Sequence, residues 1–370
     1  MLKRTPLFET HQQLGARLVE FGGWEMPIHY TSIMDEHHAV RNFAGVFDIC
    51  HMGEVGVSGS GAASFLNQVL TNDIAKLSVG EGQYSLMCNH SGGVIDDLYI
   101  YKIGVENYLL IINASRIDVD VSWLLEESQT LKGTDTVITD LSEKLGAIAI
   151  QGPATAKFID HCVDSFDRAP SGLKKNQITQ GQFAEESVYL ARTGYTGEDG
   201  FELVAPVGTI GEIWNRALNL GGIHGLKPAG LGARDTLRTE VCYPLYGHEL
   251  DEQKTPIEAG LGFFVNLDKG PFNGRDVLVR QKTQGVNRSC IAFKMTDKSA
   301  PPRPHYSVWS DGQKVGEVVS GTQSPSLNLG IGMAYVPPDL IQPGTSIEIE
   351  IRGKLFKAEI VKKPIYRKAS

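Results

Sequence analysis

Two short turns constrain the last third of this chain more than any other feature. Asp311-Gly312 separates the alternating runs Tyr306–Trp309 and Val315–Val319, and Arg352-Gly353 separates Ser346–Ile351 and Leu355–Val361. A two-residue turn ending in glycine between alternating runs is a strong hairpin signal, because both turn residues need positive φ. The cluster Pro301, Pro302 and Pro304 disfavours a central strand there. From about Ser289 onward the chain therefore reads as a small all-β barrel or sandwich of about eighty residues. At 370 residues the whole chain exceeds the usual single-core limit, so two or three domains are expected.

The segment Ser91-Gly92-Gly93-Val94-Ile95-Asp96-Asp97-Leu98-Tyr99-Ile100-Tyr101 sets two carboxylates at the mouth of an apolar run. Gly92-Gly93 reads as a tight turn and the following run as a strand. Strand alternation puts Asp96 on one face with Leu98 and Ile100, and Asp97 on the other with Tyr99 and Tyr101. Taken alone, the segment favours turn acceptors for backbone N–H groups over a ligand-facing acid.

Upstream, Val55–Leu70 and Ile148–Cys162 each read as strand, glycine turn and helix, with a helical phenylalanine (Phe65, Phe158) six residues after a turn glycine. This suggests a repeated β-turn-α element, as in split βαβ sandwiches. Gly59-Ser60-Gly61 is a weak near-match to a dinucleotide loop, since the third glycine is missing. Asp35-Glu36-His37-His38 lacks metal-ligand spacing and reads as a polar helix face. His51 either lines a pocket or caps a strand.

Arg192-Thr193-Gly194-Tyr195-Thr196-Gly197-Glu198-Asp199-Gly200-Phe201-Glu202 is rich in glycine and acid. Its carboxylates would repel a phosphate. A carboxylate can instead accept two donors from one edge of a flat ring, such as the aminopyrimidinone edge of a pterin. A glycine-rich hairpin with solvated acids is the competing reading. In Gly230-Leu231-Gly232-Ala233-Arg234-Asp235-Thr236-Leu237-Arg238, Arg234 and Arg238 fall on one helix face, and Asp235 favours the helix start. They pair with a ligand or form a structural ion pair.

Net charge of −8 and a pI near 5.7 argue against broad nucleic-acid binding. The basic end, Lys362 to Lys368, is a local exception or a solvated terminus. Five scattered cysteines without C-x-x-C fit a reducing compartment. No run approaches a membrane span, and the first residues lack a signal or transit pattern. A cytoplasmic bacterial location is expected, or the mitochondrial matrix for a processed organellar form.

Taken together, Arg4-Thr5-Pro6-Leu7, Gly23-Trp24-Glu25-Met26-Pro27, His51-Met52-Gly53, Gly92 to Leu98, Arg192 to Glu202, Gly230 to Leu237, Tyr246-Gly247 and Ser320-Gly321-Thr322-Gln323-Ser324-Pro325 carry a family resemblance. Over Arg4 to Arg367 the chain resembles the aminomethyltransferases of the glycine cleavage system, the T-proteins. The resemblance implies an α+β fold, a three-domain cloverleaf with ferredoxin-like, split βαβ elements, a C-terminal all-β barrel and a central folate pocket. The expected domains are 1–52 with 139–250, then 53–138 with 251–284, then 285–370.

The implied reaction moves the methylene carbon from the aminomethylated lipoyl arm of the H-protein to tetrahydrofolate. Its products are 5,10-methylenetetrahydrofolate, ammonia and the dihydrolipoyl carrier, and it needs no metal, flavin or pyridoxal phosphate. Residue by residue, the resemblance implies Asp97 as the catalytic acid, Glu202 as the pterin-edge carboxylate and Arg234 as a folate contact. It places Tyr84, Tyr195, Asn113 and Tyr243 in the pocket, and Tyr366 and Arg367 at the folate's glutamate tail. Cys50, Thr239, Val241 and His248 depart from the family's usual residues. A related folate-dependent demethylase acting on a free thioether or amine, or a non-catalytic folate-binding protein, is the alternative. The region Tyr243 to Glu249 lacks the lysine–cysteine signature of non-catalytic relatives.

Overall fold

The computed structural model describes residues 2–130 and 135–368. The chain divides into two compact units: Met1–Ser85 with Leu98–Arg234, and Leu86–Asp97 with Asp235–Ser370.

The first unit is mixed α/β. A seven-stranded sheet runs in the spatial order Ser165–Phe166, Ile178–Phe183, Glu186–Ala191, Gly200–Pro206, Leu145–Gln151, Ala44–Asp48, Leu226–Pro228. Helix Ile210–Gly222 buries Ile210, Ile213, Trp214, Ala217 and Gly221. That spacing is the apolar stripe of a helix lying on a core. Trp214 joins Ile148, Ile150, Leu190, Phe201 and Leu203 in one buried cluster.

A second sheet contains Glu81–Cys88, Val94–Gly104, Asn107–Ile112, Gly53–Ser58 and Val137–Asp140. Its strand Gly53–Ser58 leads through a glycine turn into helix Ala62–Val69, as the repeat predicts. The other copy differs. Strand Leu145–Gln151 is followed by two single 3-10 turns, Thr155–Lys157 and Ile159–His161, instead of a helix. Phe158 at φ −136° leaves the helical region between them, although its ring is still buried.

In the second unit the all-β expectation is met by a closed barrel. Its six strands are Ser289–Met295, Ser307–Ser310, Gln313–Ser324, Leu329–Val336, Ser346–Ile351 and Lys354–Val361. Both predicted hairpins form. Ser310 pairs Gln313 and Ile351 pairs Lys354, and all four turn residues between them have φ from 50° to 76°. Pro301, Pro302 and Pro304 lie outside the strands. The barrel is filled by Phe293, Val308, Val318, Ile347, Ile349 and Ile360. Ser324 and Ser326 both donate to the buried Glu240 carboxylate, at 2.5 and 2.9 Å, and so tie the barrel to helix Leu231–Glu240.

Candidate active site

The aspartate strand Val94–Gly104 begins on a turn that only glycine can make. Gly92 has φ +84°, and a Cβ on Gly93 would lie 1.8 Å from the Glu252 carbonyl oxygen. Asn89 Oδ1 accepts the Ser91 and Gly93 N–H groups at 2.9 and 3.0 Å. Along the strand Asp96, Leu98 and Ile100 are buried, whereas Asp97 and Tyr99 are half-buried. The two acids therefore differ in environment: Asp96 lies inside the fold and Asp97 reaches its edge.

The Arg192–Glu202 segment is built around one buried side chain, Gln151. Gln151 Nε2 donates to the Thr193 carbonyl at 3.0 Å, and its Oε1 accepts from Thr196 Oγ1 at 3.0 Å. Cβ atoms at Gly194 and Gly200 would fall 1.8 and 2.5 Å from Gln151, so these glycines make room for it. Glu198 is not the solvated acid of the simple hairpin reading, whereas Asp199 is exposed but paired. Arg192 grips Asp199 with two bonds of 2.9 and 2.6 Å. Arg41 pairs Glu198 at 3.0 Å, with both side chains below 10 % exposed.

Glu202 is left as the acid that faces a different set of groups. Its Oε2 accepts from Thr193 Oγ1 at 2.6 Å, and Thr193 Oγ1 meets the Tyr101 hydroxyl at 2.8 Å. The Arg234 guanidinium lies 4.8 Å from the centre of the Tyr195 ring, a cation–π distance. Among the described residues the buried Arg234 Nη1 has no hydrogen-bond partner. Burial pulls the Arg234 pKa down, and the charge of Glu202 opposes that. An orphaned, buried guanidinium N–H is costly unless something accepts from it.

The start of the Arg234 helix is held from Glu36, which accepts the Tyr30, Thr31 and Gly230 N–H groups at 2.6 to 2.9 Å. The predicted polar helix face is corrected for two of its four residues: Glu36 and His37 are fully buried, whereas Asp35 makes an exposed ion pair with Lys227 and His38 is half-buried. Asp235 lies in the second turn of the helix and does not start it. It binds Arg238 at 2.6 Å, and Arg238 also reaches Glu249 at 3.2 Å. The ion-pair reading holds for Arg238 and fails for Arg234.

His51 is buried edge-on to Phe21, its Nδ1 unpartnered among the described residues and its pKa pushed down to about 4 by burial. The Cys50 thiol donates to the Ala147 carbonyl at 3.1 Å, as a hydroxyl would. Tyr84 is half-buried with its ring edge toward Tyr99, and Asn113 is half-buried ahead of the turn Ala114–Arg116. In the second unit, Tyr243 is half-buried and its N–H donates to the Arg238 carbonyl. The Tyr366 N–H donates to the Glu240 carbonyl at 2.9 Å, and Arg367 is exposed. Sequence reasoning brought forward Tyr195, Glu202 and Arg234, which the structure groups. It gave no role to Tyr101, which alternation placed on the Asp97 face, or to Thr193 within the glycine-rich segment, and it missed Gln151, whose only signal was the glycines that make room for it.

Among the described residues no group of His, Cys, Asp and Glu side chains is arranged to hold a metal ion. Among them, too, no helix is long and apolar enough to cross a membrane.

Two family models match the chain: the GCVT N-terminal domain over residues 7–269 and the glycine cleavage T-protein C-terminal barrel domain over residues 288–367. The aminomethyltransferase of Geobacillus kaustophilus is 46% identical over 371 residues, covering 100% of both chains. That of Bacillus subtilis is 43% identical over 370 residues, again covering 100% of both. The crystal structure of glycine cleavage system aminomethyltransferase T from Bartonella henselae superposes with a TM-score of 0.91. It is 30% identical and covers 99% of this chain and 98% of that one. With strands, barrel and both sequence models in agreement from end to end, the chain belongs to the aminomethyltransferase family, the T-proteins of the glycine cleavage system.

Proposed function

We propose that this aminomethyltransferase takes its carbon from the aminomethylated lipoyl arm of an H-protein and delivers it to tetrahydrofolate. The products are 5,10-methylenetetrahydrofolate, ammonia and the dihydrolipoyl carrier. One observation supports the folate reading above the others. A carboxylate with one oxygen already fixed, Glu202, sits in the field of a buried arginine that has an unpartnered N–H. Glu202 suits the paired N–H donors of a pterin edge, and Arg234 suits a ring carbonyl oxygen. Tyr195, with the guanidinium on its face, adds a flat apolar wall.

Tetrahydrofolate supplies two nitrogens that accept the one-carbon unit. Asp97 places a partly desolvated negative charge where carbon–sulfur cleavage leaves cationic character on the aminomethyl carbon. It also orients the accepting group for attack. The family resemblance assigns Tyr84, Asn113, Tyr243, Tyr366 and Arg367 to folate binding as well, and within the second unit the Tyr366 N–H donates to the Glu240 carbonyl. The three-domain division 1–52 with 139–250, 53–138 with 251–284, and 285–370 belongs to this proposal. Residues 1, 131–134, 369 and 370 of it lie outside the described residues. A cytoplasmic location belongs to this proposal too.

The test is turnover with aminomethylated lipoyl carrier and tetrahydrofolate, read as ammonia and methylenetetrahydrofolate. Asp97→Asn should bind tetrahydrofolate normally and lose at least ~100-fold in kcat. Near-normal turnover removes Asp97 from the mechanism. Glu202→Ala should weaken tetrahydrofolate binding by ~10- to 100-fold, the size of a lost charge-assisted hydrogen bond.

A further inference from the structure

We infer that Tyr101 and Thr193 are positioning residues for Glu202, forming a one-way donor relay that holds one carboxylate oxygen and leaves the other to accept from the ligand. The inference rests on the reading of Glu202 as the acid that receives the folate donor pair. Its geometry is compact: Tyr101 hydroxyl to Thr193 Oγ1 is 2.8 Å, and Thr193 Oγ1 to Glu202 Oε2 is 2.6 Å.

The direction of the relay follows from counting protons. An ionised carboxylate has no proton to give, so Thr193 spends its single hydroxyl proton on Glu202. The Thr193 oxygen can then only accept from Tyr101, so the phenol is the donor. Burial, and next the charge of Glu202, hold the Tyr101 pKa well above the usual phenol range, so this proton stays in place.

Every member is pinned from behind. Tyr101 is 2 % exposed and packs with Ile178 and Ala191. Gly82 makes room for its ring, since a Cβ there would come within 2.3 Å of it. Thr193 is buried, and its carbonyl is tied to Gln151 at 3.0 Å. A β-branched side chain on a fixed backbone has little rotamer freedom. The carboxylate is therefore aligned before ligand arrives, and Oε1 stands outside the relay. A ring edge offering an acceptor there would meet a carboxylate that can only accept, and would be rejected.

Tetrahydrofolate titrated anaerobically into a panel of variants tests the relay, with steady-state kinetics on the same proteins. Thr193→Val keeps the shape and removes the hydroxyl. It should weaken binding about tenfold, raising KM for tetrahydrofolate while kcat at saturation holds. Thr193→Ser should restore near-normal affinity. Tyr101→Phe should cost about threefold, and should cost nothing further when combined with Thr193→Val.

The deciding comparison is Thr193→Val in the Glu202→Ala background, where no additional loss is expected. An equal loss in both backgrounds, or normal affinity in Thr193→Val alone, overturns the relay while the Glu202 reading stands. Normal affinity in Glu202→Ala overturns the Glu202 reading, and the relay with it. If Thr193→Val fails to fold, Thr193→Ser and Tyr101→Phe decide. Normal binding by Tyr101→Phe then counts against the relay.

Discussion

Gly312 and Gly353 close barrel hairpins with φ of +75° and +76°, and nothing lies within 4 Å of the Cβ each lacks. Gly194 and Gly200, in the Glu202 segment, have no positive φ, yet a Cβ on either would strike Gln151. The same residue type thus answers two different demands. In the barrel, glycine serves its own backbone torsion. In the site, it serves a side chain more than forty residues away in sequence, Gln151, which holds the loop's carbonyl and hydroxyl. Glycines of the first kind mark where a chain turns, and glycines of the second kind mark where something packs.

The largest expected effect is at Gly194. Gly194→Ala should destabilise the protein by about 2–3 kcal/mol, because Gln151 must move and release its buried bonds. Thermal unfolding and tetrahydrofolate affinity should fall together. Adding Gln151→Ala to Gly194→Ala should cost less than the sum of the two single changes, since both act on the same contact. Strict additivity would break the packing account.

Gly312→Ala should be milder, about 1 kcal/mol of stability from the left-handed backbone alone. Tetrahydrofolate affinity should be unchanged in titrations. A loss of affinity comparable with that of Gly194→Ala would erase the distinction between the two kinds of glycine. The smallest effect is expected at Gly211, in helix Ile210–Gly222, with nothing within 4 Å and no positive φ. Gly211→Ala should raise stability by about 0.5 kcal/mol through helix propensity, read as a small rise in Tm.

A second pair makes the same point with charge. Arg234 and Arg238 are one helical turn apart and equivalent in sequence. Arg238 is claimed by Asp235 and Glu249, whereas Arg234 keeps a buried N–H with no partner. Helical spacing showed that the two share a helix, but not which acids come within reach of either.

What could be read from sequence was decided locally. The barrel hairpins, the strand that separates Asp96 from Asp97, and helix Ala62–Val69 all follow from torsional preferences and from side-chain periodicity over a few residues. The motif order over the whole chain also carried the family. The tertiary structure decided the rest. It turned the second repeat into 3-10 turns, buried Glu36 and His37, and assigned Glu198 and Asp199 to arginines. It also joined Tyr101, Thr193 and Glu202 into one chain of hydrogen bonds. Those outcomes depend on which buried donor meets which acceptor across separations such as the 92 residues between Tyr101 and Thr193, and local torsions do not encode such pairings.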